Sequence, residues 1–99
     1  MFKSIKKRDG KVVAFNEEKI ADAIAKAGAA TGEFGTDRAK NIAEKVVRVA
    51  EDKIKSRIPT VEQIQDIVEE VLMESAFKTT AKSYIEYRAE RNRVRNAKT

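Results

Sequence analysis

Apolar residues alternate with polar ones near the start of the chain and then recur at a helical spacing from about residue 17 onwards. Four helices are predicted, at about residues 17–30, 36–53, 60–76 and 80–95. Each has one apolar face, so the four helices bury these faces most simply as a bundle. The predicted fold class is α+β and mainly α, in a single domain over residues 1–99.

Local signals set the predicted helix ends. Asn16 is a good N-cap for the first helix, and Gly28 and Gly32 are expected to end it. Pro59 blocks continuation of the second helix, and Thr60 with Gln63 three residues later is typical of a capping box. The third helix is therefore expected to begin directly after this proline.

Residues 4–15 are predicted to form a β-hairpin that caps or flanks the bundle. The pair Asp9-Gly10 favours a two-residue loop, and β-branched residues follow it. A two-residue loop would set Lys6 opposite Val13 and would put these two side chains on the same face of the ribbon.

The composition excludes several kinds of chemistry. The chain of 99 residues contains no Cys and no His, which removes thiol nucleophiles, disulfides, the commonest transition-metal ligands and the usual general base. No glycine-rich phosphate loop is present either. We therefore expect a binding domain, with no catalytic residue and no metal ligand of its own. No segment has the length and apolarity of a membrane span or of a secretory signal, so a cytoplasmic protein is expected.

Positive charge is distributed unevenly along the chain, whose net charge is +5. Lys6, Lys7 and Arg8 stand side by side just before the predicted turn, whereas residues 60–75 contain no basic residue. Lys19 falls in the first turn of a helix, where the helix dipole disfavours a cation. An anion over that helix end would reverse the sign of this effect, so the pattern indicates a phosphate ligand held by side chains.

The stretch KRDGKVVAFNEEKI, at the turn and the start of the first helix, resembles the N-terminus of an ATP-cone domain. The resemblance continues through IPTVEQIQDIVEEVLME and TAKSYIEYRAERNRVR and so covers nearly the whole chain. ATP-cones are regulatory nucleotide-binding domains, most often at the N-terminus of ribonucleotide reductases, and the last stretch is most similar to anaerobic and other reductase versions. The resemblance implies allosteric control by ATP or dATP, with a reductase catalytic domain or a second copy of the chain as partner.

The family fold implies a four-helix bundle covered by a small β-sheet, made of the hairpin and a third strand at residues 56–59, with the nucleotide between sheet and bundle. The implied nucleotide-binding residues are Lys7, Arg8 and Lys19 for the phosphates, Val13, Phe15 and Ile20 beside the nucleoside, and Thr60 near the base. An Mg²⁺ ion can accompany the triphosphate, held largely by phosphate oxygens and water. Well-known members have a carboxylate in place of Val13 and a polar residue in place of Ile64, so their discrimination between ATP and dATP is not carried over.

An alternative class is a small basic helical module that binds nucleic acid. It explains the net charge and the arginine-rich end of the last helix. It does not explain the acidic third helix, and the basic segments lack the interleaved aromatic residues on which bases stack. The arginines from Arg88 onwards also have a structural explanation, because they can pair with the acidic helix.

Overall fold

A computed structural model describes residues 2–97 of the chain. Two short strands, β1 (Ser4–Lys6) and β2 (Val12–Ala14), are followed by four helices: α1 (Glu17–Thr31), α2 (Thr36–Lys53), α3 (Val61–Glu74) and α4 (Lys78–Ala97). The predicted mainly α fold with a small β-hairpin is therefore confirmed. No helix within the described residues is long and apolar enough to cross a membrane.

The four helices pack in a closed cycle, in which α1 and α3 each contact both α2 and α4. One apolar face of each helix points into a common core. Fully buried side chains at its centre include Ile24 of α1, Val46 of α2 and Leu72 of α3. Removing these side chains from water supplies most of the driving force for the bundle.

Two helix N-termini next to the hairpin are capped as the sequence predicts. The side chain of Asn16 accepts a hydrogen bond from the backbone N–H of Glu18 at 2.9 Å. Thr60 and Gln63 exchange two hydrogen bonds, at 2.9 and 3.1 Å, and so form the complete capping box at the start of α3. These caps satisfy backbone donors that the first helical turn leaves free, and so fix where α1 and α3 begin.

Gly28 does not help end the first helix, contrary to the prediction. It lies inside α1 and is buried, and a Cβ atom added there would sit 2.4 Å from a ring carbon of Phe34. The helix ends at Gly32, the other glycine that was expected to end it, whose left-handed φ of 76° is easily adopted only by glycine. Gly28 is therefore a packing position that lets Phe34 approach the helix backbone.

The predicted hairpin register is wrong by one residue. Val13 pairs with Ile5, and Lys6 pairs with Val12. The backbone N–H of Gly10 donates to the carbonyl of Lys7 at 2.9 Å, and Gly10 has a φ of 90°. The loop therefore has three residues, a turn followed by a left-handed glycine, rather than two. As a result Lys7, and not Lys6, shares a face with Ile5 and Val13.

The third strand at residues 56–59 is not formed in the described part of the chain, where the sheet has two strands. A single parallel bridge joins Lys6 to Thr60, and the N–H of Lys6 donates to the carbonyl of Pro59 at 2.9 Å. Ser56 bends the preceding segment by hydrogen bonding through its side chain to the backbone of Ile58. Pro59 has no N–H to extend the ladder, so the pairing stops after one bridge.

Candidate functional site

A cleft of about 380 Å³ lies between the hairpin and the helix bundle. Its volume is within the range of small-molecule sites in proteins. Most of the wall is apolar. Besides one tyrosine, four lining residues have polar side chains: two lysines, one asparagine and one glutamine. The lining residues are Ile5, Lys7, Val13, Asn16, Lys19, Ile20, Ala23, Val61, Ile64, Gln65, Val68 and Tyr84.

Two lysines from different elements line this cleft. Lys7 comes from the hairpin, where the three-residue loop puts it on the same face as Val13. Lys19 comes from the first turn of α1, just after its cap Asn16. Neither ammonium group forms a salt bridge with a carboxylate within residues 2–97. Both cations are therefore available to an anionic ligand.

Arg8 does not line the cleft but lies next to it and pairs with Glu62 of α3. Its Nε and Nη2 donate to the same oxygen, Oε1 of Glu62, at 3.1 and 2.7 Å. The hydrogen bond from Arg8 is the main cause of a lowered pKa at Glu62, and Arg88 lowers that pKa further. The charge of Arg8 is thus directed to the first turn of α3.

Arg88 of α4 binds three carboxylates of α3. Its Nη1 lies 2.9 Å from Asp66 and 2.8 Å from Glu69, and its Nη2 lies 3.2 Å from Glu62. The side chain of Arg88 is only 13% exposed. Burial lowers the pKa of Arg88, but the hydrogen bonds to the three carboxylates outweigh burial and raise it overall. Arg88 therefore pairs with the acidic face of α3 from within the same chain.

Two other residues that the resemblance implies at the site have structural contacts outside the cleft lining. The ring of Phe15 packs on that of Phe2 with centroids 5.5 Å apart. Thr60 caps α3 and is bridged to the hairpin through its backbone. Among the implied site residues, the cleft lining thus contains Lys7, Val13, Lys19 and Ile20 but not Arg8, Phe15 or Thr60.

Gln65 and Tyr84 line the cleft but were not predicted to do so. The Oε1 atom of Gln65 is shielded from solvent and has no hydrogen-bond partner in the described structure. Tyr84 is 7% exposed, and burial raises its pKa to about 12, so the hydroxyl keeps its proton at neutral pH. Gln65 follows the stripe residue Ile64 and stands one turn after Val61, and this spacing is the signal that could have identified it.

The cleft combines the features needed to bind a phosphorylated ligand with a flat apolar part. Two free ammonium groups can hold phosphate oxygens, and the aliphatic wall can hold a ring. Within the described residues no group of three or more His, Cys, Asp or Glu side chains is placed to hold a metal ion.

The model of the ATP-cone domain family matches residues 3–93. The chain is 44% identical to the vitamin B12-dependent ribonucleoside-diphosphate reductase of Thermoplasma acidophilum, covering 99% of this chain and 13% of that protein. It is 36% identical to the anaerobic ribonucleoside-triphosphate reductase of Salmonella typhimurium, covering 89% of this chain and 12% of that protein. The chain thus spans about an eighth of the length of these relatives. It belongs to the ATP-cone family of regulatory nucleotide-binding domains.

Proposed function

We propose that this domain binds ATP or dATP in the cleft between hairpin and bundle, and that the nucleotide controls a ribonucleotide reductase allosterically. The observation that supports the proposal best is the pair of free ammonium groups, those of Lys7 from the hairpin and Lys19 from α1, that line one apolar cleft. Phosphates bind between these two cations, next to the positive end of α1. The base lies against Val13, Ile20 and Ile64.

Arg8 breaks its salt bridge with Glu62 and binds the phosphates instead. The pair is half exposed, with side-chain exposures of 32% and 43%, so its separation costs little. An Mg²⁺ ion, where present, is held by phosphate oxygens and water. Phe15 supports the hairpin by packing against Phe2. Thr60 caps the N-terminus of α3 and holds it near the base.

Control arises because the ligand touches two separate elements. The hairpin is tied to the bundle by few contacts, so a nucleotide that bridges them changes how the two sit together. Such a change alters the surface that the domain presents to its partner, which is either the catalytic domain of a reductase or a second copy of the chain. ATP and dATP can act differently only through different affinities for the two arrangements, and we propose dATP as the inhibitory ligand.

Calorimetric titration with ATP, dATP and ADP tests the binding. We expect micromolar dissociation constants, corresponding to about −8 kcal/mol. Lys7→Ala and Lys19→Ala each remove one charge-assisted contact of ~1.5 to 3 kcal/mol and should weaken ATP binding about 10- to 150-fold. Lys40→Ala, which removes an exposed charge on α2, is the control and should bind as the wild type does. Wild-type affinity in both cleft variants would refute the site.

Sedimentation with each nucleotide tests the control. We expect different self-association with ATP and with dATP, or different reductase activity in the full-length protein that carries the domain. Identical behaviour with both ligands would leave a nucleotide-binding domain without a switch. The nucleic-acid alternative makes the opposite prediction, namely tight DNA binding that collapses with salt and ignores free ATP. It is less favoured because Arg88 and Arg93 both engage carboxylates of the chain itself.

A further inference from the structure

The side chain of Gln65 carries an unsatisfied polar atom in the wall of the cleft. Among the side chains that the structure describes, those of residues 2–95, its Oε1 is the one shielded oxygen or nitrogen without a hydrogen-bond partner. Buried polar groups in native proteins nearly always have partners, and one without a partner destabilises the folded state. Such an atom in the wall of a ligand cleft indicates that the ligand supplies the missing donor.

The chemistry of the cleft limits which donor this is. A phosphate oxygen is an acceptor and cannot donate to Oε1, so the partner belongs to the nucleoside. Gln65 stands on α3 between Val61 and Val68, and these two apolar residues line the same cleft. A flat ring packs well on such a surface, so the group that reaches Gln65 lies on the edge of the base. In adenine the donor on that edge is the 6-amino group.

We propose that Gln65 recognises the base of the bound nucleotide by accepting a hydrogen bond from the 6-amino group of adenine. The inference rests on the proposed nucleotide-binding function and names the residue that reads the base. The amide can also turn and present its Nε2 as a donor, so a 6-oxo purine loses less than a purine with no group at position 6. Purine riboside triphosphate, which has only hydrogen there, is therefore the sharpest probe.

The test is a titration of wild type and Gln65→Leu with ATP and with purine riboside triphosphate. Wild type should bind the unsubstituted purine about 5- to 20-fold more weakly than ATP, because Gln65 stays unpaired. Gln65→Leu should bind ATP as weakly as the unsubstituted purine and should lose the preference between them. Its melting temperature without ligand should rise, because the unpaired atom is gone. Asn41→Leu, an amide-to-leucine change on the exposed face of α2, is the matched control.

The outcomes separate this inference from the proposed function. If folded wild type binds neither ligand, the nucleotide-binding function itself fails. If wild type binds both equally, or if Gln65→Leu keeps the preference for ATP, Gln65 does not read the 6-amino group. A preference for ATP over dATP that disappears in Gln65→Leu would put the contact on the ribose and overturn the assignment. Should the leucine variant fail to fold, Gln65→Met provides a second apolar replacement of similar volume.

Discussion

Arg8 at the tip of the hairpin and Glu62 in the first turn of α3 form a salt bridge between residues 54 positions apart in the sequence. Two N–H groups of the guanidinium converge on one carboxylate oxygen, at 3.1 and 2.7 Å. The second oxygen of Glu62 accepts from Arg88 at 3.2 Å. A phosphate that binds Arg8 would therefore have to compete with Glu62, whose salt bridge also joins the hairpin to α3.

Glu62→Gln should tighten ATP binding about 2- to 5-fold. The substitution keeps the size of the side chain but removes the charge. Arg8 then no longer has to break a salt bridge that contributes ~0.2 to 1 kcal/mol before it binds a phosphate. Asp66→Asn is the control, because Asp66 contacts Arg88 but not Arg8. Calorimetry of the three proteins decides the question, and unchanged affinity in Glu62→Gln would mean that Arg8 takes no part in phosphate binding.

The same salt bridge should make stability depend on acid pH. The pKa of Glu62 is lowered from its ordinary value of 4.5, mainly by Arg8 and then by Arg88. Its stabilising effect is therefore complete above pH 4.5 and is lost as the pH falls through the lowered folded-state pKa. Denaturant titrations from neutral to acid pH should show a shallower loss of stability below pH 4.5 in Glu62→Gln than in wild type. Parallel curves would contradict the linkage.

Gly28→Ala should destabilise the fold, although the same change usually stabilises a helix. The added methyl group would lie 2.4 Å from the ring of Phe34, which packs edge-on against Phe77 with centroids 4.8 Å apart. We expect a net loss of ~1 to 3 kcal/mol in the free energy of unfolding, because overpacking exceeds the gain in helix propensity. In a Phe34→Leu background the same substitution should cost less. An equal cost in both backgrounds would mean that the ring is not the obstacle.

Arg88→Gln should cost far more stability than Arg93→Gln. Arg88 is 13% exposed and holds three carboxylates, whereas Arg93 is 71% exposed and pairs with Glu90 one turn away. Loss of hydrogen bonds to charged groups should lower the free energy of unfolding by ~1.5 to 3 kcal/mol for Arg88. Arg93 should stay within about 0.5 kcal/mol of wild type. Thermal melts of both variants give the comparison, and equal effects would argue against an internal role for Arg88.

The sequence predicts the helices well because their signals are local. A periodic apolar stripe, the cap at Asn16 and the capping box of Thr60 and Gln63 each act within one or two turns. The hairpin register could not be predicted in the same way. Asp9-Gly10 is compatible with loops of two or three residues, and one extra residue exchanges the faces of the strand.

The site could be predicted only in part, for the same reason. Lys7 and Lys19 stand out because their charges are unfavourable where they occur, and both line the cleft. The pairing of Arg8 with Glu62 joins distant parts of the chain, so no local pattern indicates it. The spacing of Gln65 from Val61 indicates the helix face on which it lies, but not that this face is covered. Its shielded oxygen becomes evident only once the helices are packed.

The hairpin stands outside the cycle of helices, and in the part of the chain that the structure describes its one backbone hydrogen bond to the segment before α3 is from the N–H of Lys6 to the carbonyl of Pro59. Opening of the hairpin would break that bond while the core packing of the four helices stays intact, so the two parts need not unfold together. The amide proton of Lys6 should then exchange with solvent through local opening, whereas amides in the middle of α2 exchange only on global unfolding. A ligand that bridges hairpin and bundle would slow local opening of the hairpin. The exchange rate of the Lys6 amide proton would then report nucleotide occupancy directly.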